Sequence, residues 1–571
     1  MKDILYYVNR NRPLKYFNVV LLFFLLNGIA AKSSCRLDLS RDRVNSLTES
    51  TQKVLSGLKD PVLVEAYISR EVPGEILSLI LPVISLLEEI DRIGKNNIQL
   101  RIFNPTTEEE TKMANARGIQ GIPIEESGPD EIKQRLGFFG IYLQIGEKST
   151  VINLVQDGRI IDDLEYRFLR EIKYLIKTDR SSRIGFVTLP GSLETLRWNS
   201  PVDQRKDNLF AFRRITERDL GLMSDLNLKE NIPSEIAVVI VTGLPVLSEI
   251  EKYRLDQFIM RGGSILFMLK GFEFQLQQTD PKLASLGLGG PGSGYATVPR
   301  EELTRLNEWL THYGISINGE ILFEPDHAVA ASDIRGQFIV PTPNPSWSIY
   351  SRESGNIKGI IPAMKNLEQL VFPWFSGISI SEKHQEGVHY SVLVESSRTA
   401  VKRSASSMDI KDVMKAGSSP GDILSNQNIP LAVHAKGKFQ SYFSKRDLPA
   451  DADPKTFLPS QTGGTESTII AIGTPYMVSD ILLRNESNTQ IFRLNLAFIV
   501  NLIEAAFGDT DLIAARSHVQ TISSLINTDK NFETIFKWFF IFTLPAILGI
   551  YGTLRLFRRN KRRGIPEGEL G

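Results

Sequence analysis

A single cysteine, Cys35, stands in 571 residues. No internal disulfide can form, so any ordered body must rest on its hydrophobic core. Net charge is also missing: 66 Lys and Arg balance 66 Asp and Glu. That balance removes the basic footprint of a nucleic-acid binder. No P-loop is present. Gly94-Lys95 and Gly437-Lys438 have Glu89 and Ala432 where the first glycine of G-x-x-x-x-G-K belongs, which closes that route to ATP hydrolysis. Nor is there a nucleophile elbow, because Ser293 has its glycines at ±1 rather than ±2. Internal repeats are absent as well.

Histidine is scarce, with six: His312, His327, His384, His389, His434 and His518. His384 and His389 are five apart in a loop-like stretch, which is not the i, i+4 spacing of a helical metal pair. All six read as surface or packed residues, and no metal is expected. Gly287 to Gly292 formally matches G-x-G-x-x-G. A dinucleotide fingerprint needs a strand before it and a helix starting within it. Pro291 and Ser293-Gly294 argue for a loop instead, so no cofactor is expected. The acidic clusters Glu108-Glu109-Glu110 and Asp162-Asp163 fall at helix starts, where they complement the helix dipole. No catalytic constellation emerges, and the chain reads as a non-enzyme.

The two ends carry long uncharged apolar runs. Tyr16 to Ala31 follows Lys2, Arg10, Arg12 and Lys15. It reads as a first membrane helix, 16–34, after a cytoplasmic tail, 1–15. A cleaved signal peptide looks similar. Cys35 also raises a lipoprotein, against which Lys32 stands at −3. Trp538 to Leu554 precedes Arg555, Arg558, Arg559, Lys561, Arg562 and Arg563. It reads as a second helix, 536–556, with Trp538 and Tyr551 at its interfaces, a juxtamembrane segment 511–535 before it and a basic cytoplasmic tail, 557–571, after it. Both ends inside and the bulk outside describe a two-pass membrane protein with an extracytoplasmic body.

Between the anchors strands and helices alternate, an α/β pattern. An extracytoplasmic α/β domain is expected over 36–180. Its helix entry at Ser46-Leu47-Thr48-Glu49 follows S-x-x-E. A strand follows Asp60-Pro61, a helix covers 76–93, a strand 98–103, a charged helix 108–116, a hairpin turns at Gly146 and a helix covers 164–176. A second domain spans 181–510. Ile184 to Thr188 and Ile236 to Val241 read as parallel strands covered on both faces. Ser248 to Glu251 caps a helix with Tyr253, Leu255, Phe258 and Ile259 inward, ended at Gly262-Gly263 before a strand at 265–269. A helix with Leu303, Leu306, Leu310 and Tyr313 ends at Gly314, and a last helix covers 494–507. The stretch 325–467 reads as a loop-rich insertion, with β-like runs at 390–394 and 429–434. In a parallel sheet a small ligand goes to the carboxyl ends of the strands. That makes Thr188, Gly191, Thr242, Gly243, Gly473 and Thr474 a candidate ligand or partner surface, with plain turn chemistry as the alternative.

Several stretches together resemble one family, the GldG-like or gliding-motility-associated auxiliary proteins of uncharacterised ABC transport systems. They are Leu37-Asp38-Leu39 with Asn45 to Thr48, Leu58 to Val62, Glu235 to Leu269, Leu431 to Phe443, and Gly473 to Asp480 with the later Asn495. Thr474-Pro475 departs from the family's acidic-polar pair. The central unit is also similar to the Rossmann-like, class I glutamine-amidotransferase-like fold. Its strand–helix turns hold no cysteine, which excludes the amidotransferase reaction. The resemblance implies a membrane-anchored accessory subunit. Permease and ATPase would be separate chains beside it in the lipid bilayer. An envelope binding or scaffolding module is the alternative.

Overall fold

The computed structural model describes residues 46–515 together with 551–555. Not described within the first range are 128–131, 157–158, 162, 177–183, 196–207, 277–293, 336–337, 365–366, 368, 383, 404–406, 410–421, 462–465, 485–487, 509–510 and 513–514. The chain divides into two compact units, 1–519 and 520–571. Among the described residues no helix is long and apolar enough to cross a membrane. The segments 16–34 and 536–556 lie outside them except for 551–555, which is helical with Tyr551 and Arg555 exposed. Cys35, the G-x-G-x-x-G match, His518, Trp538, Arg558 and Arg559 also lie outside.

The first layer begins with α1 (Glu49–Ser56), capped by Thr48, whose hydroxyl accepts from the Thr51 amide at 3.2 Å. The S-x-x-E spacing from Ser46 pointed two residues too early. Thr48 is the residue with extended backbone beside the first turn, and Glu49 sits at the positive helix end. Then come β1 (Val62–Ile68), α2 (Gly74–Gly94), β2 (Ile98–Phe103) and α3 (Glu108–Ala116). Thr107 and Glu110 form a reciprocal capping box on α3. A hairpin, β3 (Ile122–Ser127) and β4 (Ile132–Gly137), leads to a second, β5 (Phe139–Ile145) and β6 (Lys148–Asn153), and then to α4 (Leu164–Ile176). The sheet order is β2-β1-β5-β6, with β1 parallel to β2 and antiparallel to β5. α1, α2 and α4 bury Leu55, Leu87 and Phe168 against one face. On the other, Ala114 of α3 packs with Tyr67 and Phe138.

The second layer contains β7 (Ile184–Val187), α5 (Phe210–Leu220), β8 (Met223–Leu226), β9 (Val238–Gly243), α6 (Glu249–Met260), β10 (Ser264–Leu269) and α7 (Arg300–Leu310). Next are β11 (Ile321–Phe323), β12 (Ala328–Arg335), β13 (Phe338–Ser351), β14 (Gln369–Pro373), β15 (Val388–Glu395), β16 (Pro430–Gly437), β17 (Ser467–Ile472) and α8 (Thr489–Ala506). Its sheet runs β8-β7-β9-β10-β17-β16-β15. The first five are mutually parallel and lie 2-1-3-4-5 in their own chain order, while β16 is antiparallel to both neighbours. β9, β10 and β17 are buried at every position. Helices on both faces explain this. α5 and α8 bring Phe212 and Phe498 against Ile240 and Leu266. α6 and α7 bring Phe258 and Trp309 against Val239 and Phe267.

The insertion between β10 and β17 is richer in strands than its composition suggested. β12 and β13 form an arm that pairs Ser332 with Pro341 and Ala330 with Pro343. Proline lacks an N–H, so these residues take ladder positions that need no donor toward the partner strand. Three prolines spaced by two (341, 343, 345) are therefore compatible with β13, although they read as loop punctuation.

The layers meet along α4. Tyr174 donates from its hydroxyl to the Leu220 carbonyl at 3.1 Å, and Arg170 donates to the Asp219 carbonyl. Lys173 pairs with Asp511 at 3.0 Å, and the Tyr166 hydroxyl bonds the buried Glu504 at the end of α8. Leu220 closes α5 three residues before β8 starts, so this joint lies at the amino ends of the parallel strands.

Candidate functional site at the carboxyl edge of the parallel sheet

The chain leaves β7 toward one edge of the sheet and β9 toward the other. This divergence normally opens a crevice beyond the strand ends. Here two loops close it. The amides of Leu244 and Val246 donate to the carbonyls of Gly191 and Pro190 at 2.9 and 3.0 Å. The buried Thr242 hydroxyl lies 3.2 Å from the Leu193 amide and 3.3 Å from its carbonyl. Gly191 and Gly243 both have positive φ, and a Cβ on Gly243 would stand 2.2 Å from the Gly191 carbonyl oxygen. Only glycine permits that approach.

The β17 end is covered as well, by the segment after β14. Gly473 donates to the Leu431 carbonyl and accepts from the Ser376 amide, both at 2.8 Å. The Thr474 hydroxyl donates to the Pro373 carbonyl at 2.7 Å and accepts from the Tyr476 amide at 3.1 Å. Above it Trp374, at φ 43°, meets Trp347 and Tyr476 edge-to-face at 5.2 and 5.4 Å. The six candidate residues thus share one edge of the sheet. Thr242, Gly243, Gly473 and Thr474 are buried in it, and Thr188 and Gly191 are exposed.

Four polar nodes that carry the second layer together were only partly signalled in the sequence. Asp256, fully buried on α6, accepts from the Ser441 hydroxyl and the Tyr442 amide, each at 2.7 Å, and from Tyr313 at 2.5 Å. Burial raises its pKa and outweighs the donors, which act in the opposite direction. Its signal was an acidic residue on the apolar face of α6. Glu324, also fully buried, accepts from the Tyr350 hydroxyl at 3.1 Å and from the Ser397 amide at 2.7 Å. Burial and this carboxylate push the Tyr350 phenol well up. Asn495 bonds both the amide and the carbonyl of Val371, at 3.0 and 2.8 Å, and the Met477 carbonyl at 3.0 Å. Asp480 caps α5, its two oxygens accepting from the Phe210 and Ala211 amides at 2.9 Å each. Ser441, Asp480 and Asn495 all lie in stretches that carry the resemblance, and each has a packing role here. Among the described histidines only His434 is buried. No group of His, Cys, Asp and Glu among the described residues could hold a metal ion.

The family model described as "ABC-type uncharacterized transport system" matches residues 181–502, more than half of the chain. The chain belongs to this family. The assignment supports an accessory role in ABC transport. A domain of unknown function, DUF7088, matches 41–144. No curated protein matches. Among solved structures, "mmIFT52 N-terminal domain" is 13% identical with a TM-score of 0.28, covering 57% of this chain and 97% of its own. A ThuA-like protein from Bacteroides uniformis is 12% identical with a TM-score of 0.22, covering 45% and 78%.

Proposed function

We propose that this protein is a non-catalytic accessory subunit of an ABC transport system, tethered at both ends to a bacterial inner membrane with its body outside the cytoplasm. One observation carries the tethered reading: both described ends of the body emerge beside the first turn of α4. The Thr48 amide and hydroxyl each lie 2.8 Å from Glu165 Oε1. Ala515 packs with Tyr166, Leu169 and Val54. Residues 46–515 therefore begin and end beside one helix, which suits a body tethered through both of its ends. A body with ends on opposite sides would fit such tethering poorly.

The strand order supports the Rossmann-like reading of the second layer. The closed carboxyl edge favours a surface that meets other proteins over a cleft that turns over a small substrate. The partners in this reading are a permease and an ATPase on separate chains; a link to gliding motility would follow from the same family likeness. Purification from membranes in mild detergent tests it. Stoichiometric recovery of an ATPase and a permease supports the reading. Recovery of the protein without either, from membranes that contain both, favours an envelope scaffold instead. Protease added to intact spheroplasts should cleave within 46–515, and protection of that region would place the body inside.

A further inference from the structure

In the first layer α2 is covered on one side only, and its uncovered side is apolar at the middle. Successive residues of a helix turn by about 100°. On that count the buried Ile80, Val83, Ile84 and Leu87 share one side, which packs into the core of the first layer. Ser78, Leu79, Leu81, Pro82 and Ser85 share the opposite side, and all five are exposed. Leu79 and Leu81 form its two rims, 56% and 53% exposed. The smaller Ser78, Pro82 and Ser85 lie between them and leave a shallow groove. Pro82 has no amide hydrogen, so the Ser78 carbonyl on this side lacks the donor that a helix supplies four residues on.

Two carboxylates bracket the groove. Glu75 and Glu88 are exposed and thirteen residues apart, about 20 Å along the helix. Among the described residues neither has an ion-pair partner. This charge pattern selects the occupant. A second copy of α2, laid along the groove in either direction, sets carboxylate against carboxylate at both ends. Phospholipid phosphates meet the same repulsion. A foreign helix with an apolar face and a Lys or Arg at each end meets the leucines with the one and the carboxylates with the other.

We propose that this side of α2 docks a helix of a partner protein, apolar where it crosses Leu79 and Leu81 and basic at both ends. A donor side chain of that helix completes the Ser78 carbonyl. The surface belongs to the first layer and is separate from the carboxyl edge of the parallel sheet, so it goes beyond the accessory reading without depending on it.

The test uses the full-length chain in its own cells, with a photoreactive phenylalanine analogue in place of Leu79, Leu81 or, as a control, Leu424, which is 56% exposed in the insertion. After illumination the adducts are digested and sequenced by mass spectrometry. Docking gives one foreign segment at both 79 and 81 and not at 424, and that segment has an uncharged apolar run with Lys or Arg on each side. Glu75→Lys combined with Glu88→Lys should cut the adduct yield at least about fivefold, while the circular dichroism of the protein stays native. Replacing the segment's flanking basic residues with Glu should then restore the yield. Adducts to α2 of a second copy or to lipid overturn the proposal. So do the absence of adducts, the same adducts at 424, or a yield that the charge reversal leaves unchanged.

Discussion

His434 shows at the level of one side chain how burial becomes a pH dependence. It lies on β16 with 8% of its surface exposed, and burial, helped by Lys436, lowers its pKa from 6.5 to about 4. The unfolded chain therefore binds a proton between these values that the folded chain refuses. Stability from this group is complete above pH 6.5 and is lost as pH falls from there toward 4. Between pH 7 and 4.5 the loss should be about 2 kcal/mol. Urea titrations of the protein at the two pH values measure it, and His434→Leu should flatten the difference. An unchanged slope in the variant would show that other groups set it. Asp256 makes the opposite point about burial. Its carboxylate serves donors from α7's end and from the turn at 441–442. Asp256→Ala strands all of them, and the expected cost is about 3 kcal/mol or more in a urea midpoint comparison. Asp256→Asn keeps acceptor capacity on one oxygen and should cost distinctly less.

Between elements, single polar side chains do work that apolar packing leaves unspecified. Asn495 extends from α8 to both backbone groups of Val371 on the free edge of β14. Without it that edge faces the helix with an unmet donor and acceptor. Asn495→Leu should destabilise the protein by about 2–4 kcal/mol, and hydrogen exchange should show the Val371 amide losing protection before the β9 and β10 amides. Equal loss everywhere would mean that the bond has no local role. These elements also show what the sequence makes legible. Runs such as Val238–Gly243 and Ser264–Leu269 are buried on both faces, so apolarity alone declares them. The capping box at Ser248 and the glycine stops at 262 and 314 were equally readable, because they are local chemistry. The hairpin at 122–137 and the β12–β13 arm of the insertion were not, although the β-like runs at 390–394 and 429–434 did mark β15 and β16. The hairpin and the arm each pair a strand with the next one in the chain, yet neither shows a clean apolar alternation, and prolines within β13 carry the signature of a loop. The candidate site was half legible: its residues do share the carboxyl edge, but loop 188–195 folding over Gly243, and Ser376 over Gly473, depend on contacts that no local pattern encodes.

At the scale of the molecule, the joint along α4 decides whether the two layers behave as one cooperative body. The bonds across it are Tyr166 to Glu504, Lys173 to Asp511, and Arg170 and Tyr174 to the end of α5. Burial of Tyr166, Leu169 and Ala515 adds apolar area beside them. The tryptophans separate the layers spectroscopically. Residues 46–176 contain none, whereas Trp309, Trp347 and Trp374 lie in the second layer. With Trp198 and Trp538 replaced by Phe, tryptophan fluorescence thus follows the second layer, and far-ultraviolet circular dichroism follows both. In this background the two probes should give one coincident denaturation curve, the mark of all-or-none unfolding. Tyr166→Phe removes the hydroxyl that meets the buried Glu504 carboxylate, a loss of about 1–3 kcal/mol concentrated at the joint. The circular dichroism curve should then begin to fall at lower denaturant than the fluorescence curve, because the first layer, stripped of its neighbour's support, unfolds ahead of the second. Coincident curves in the variant would mean that apolar contact alone couples the layers. Separate curves without the Tyr166→Phe change would mean that they were never coupled, and a partner's push on one layer would then have no rigid path to the other.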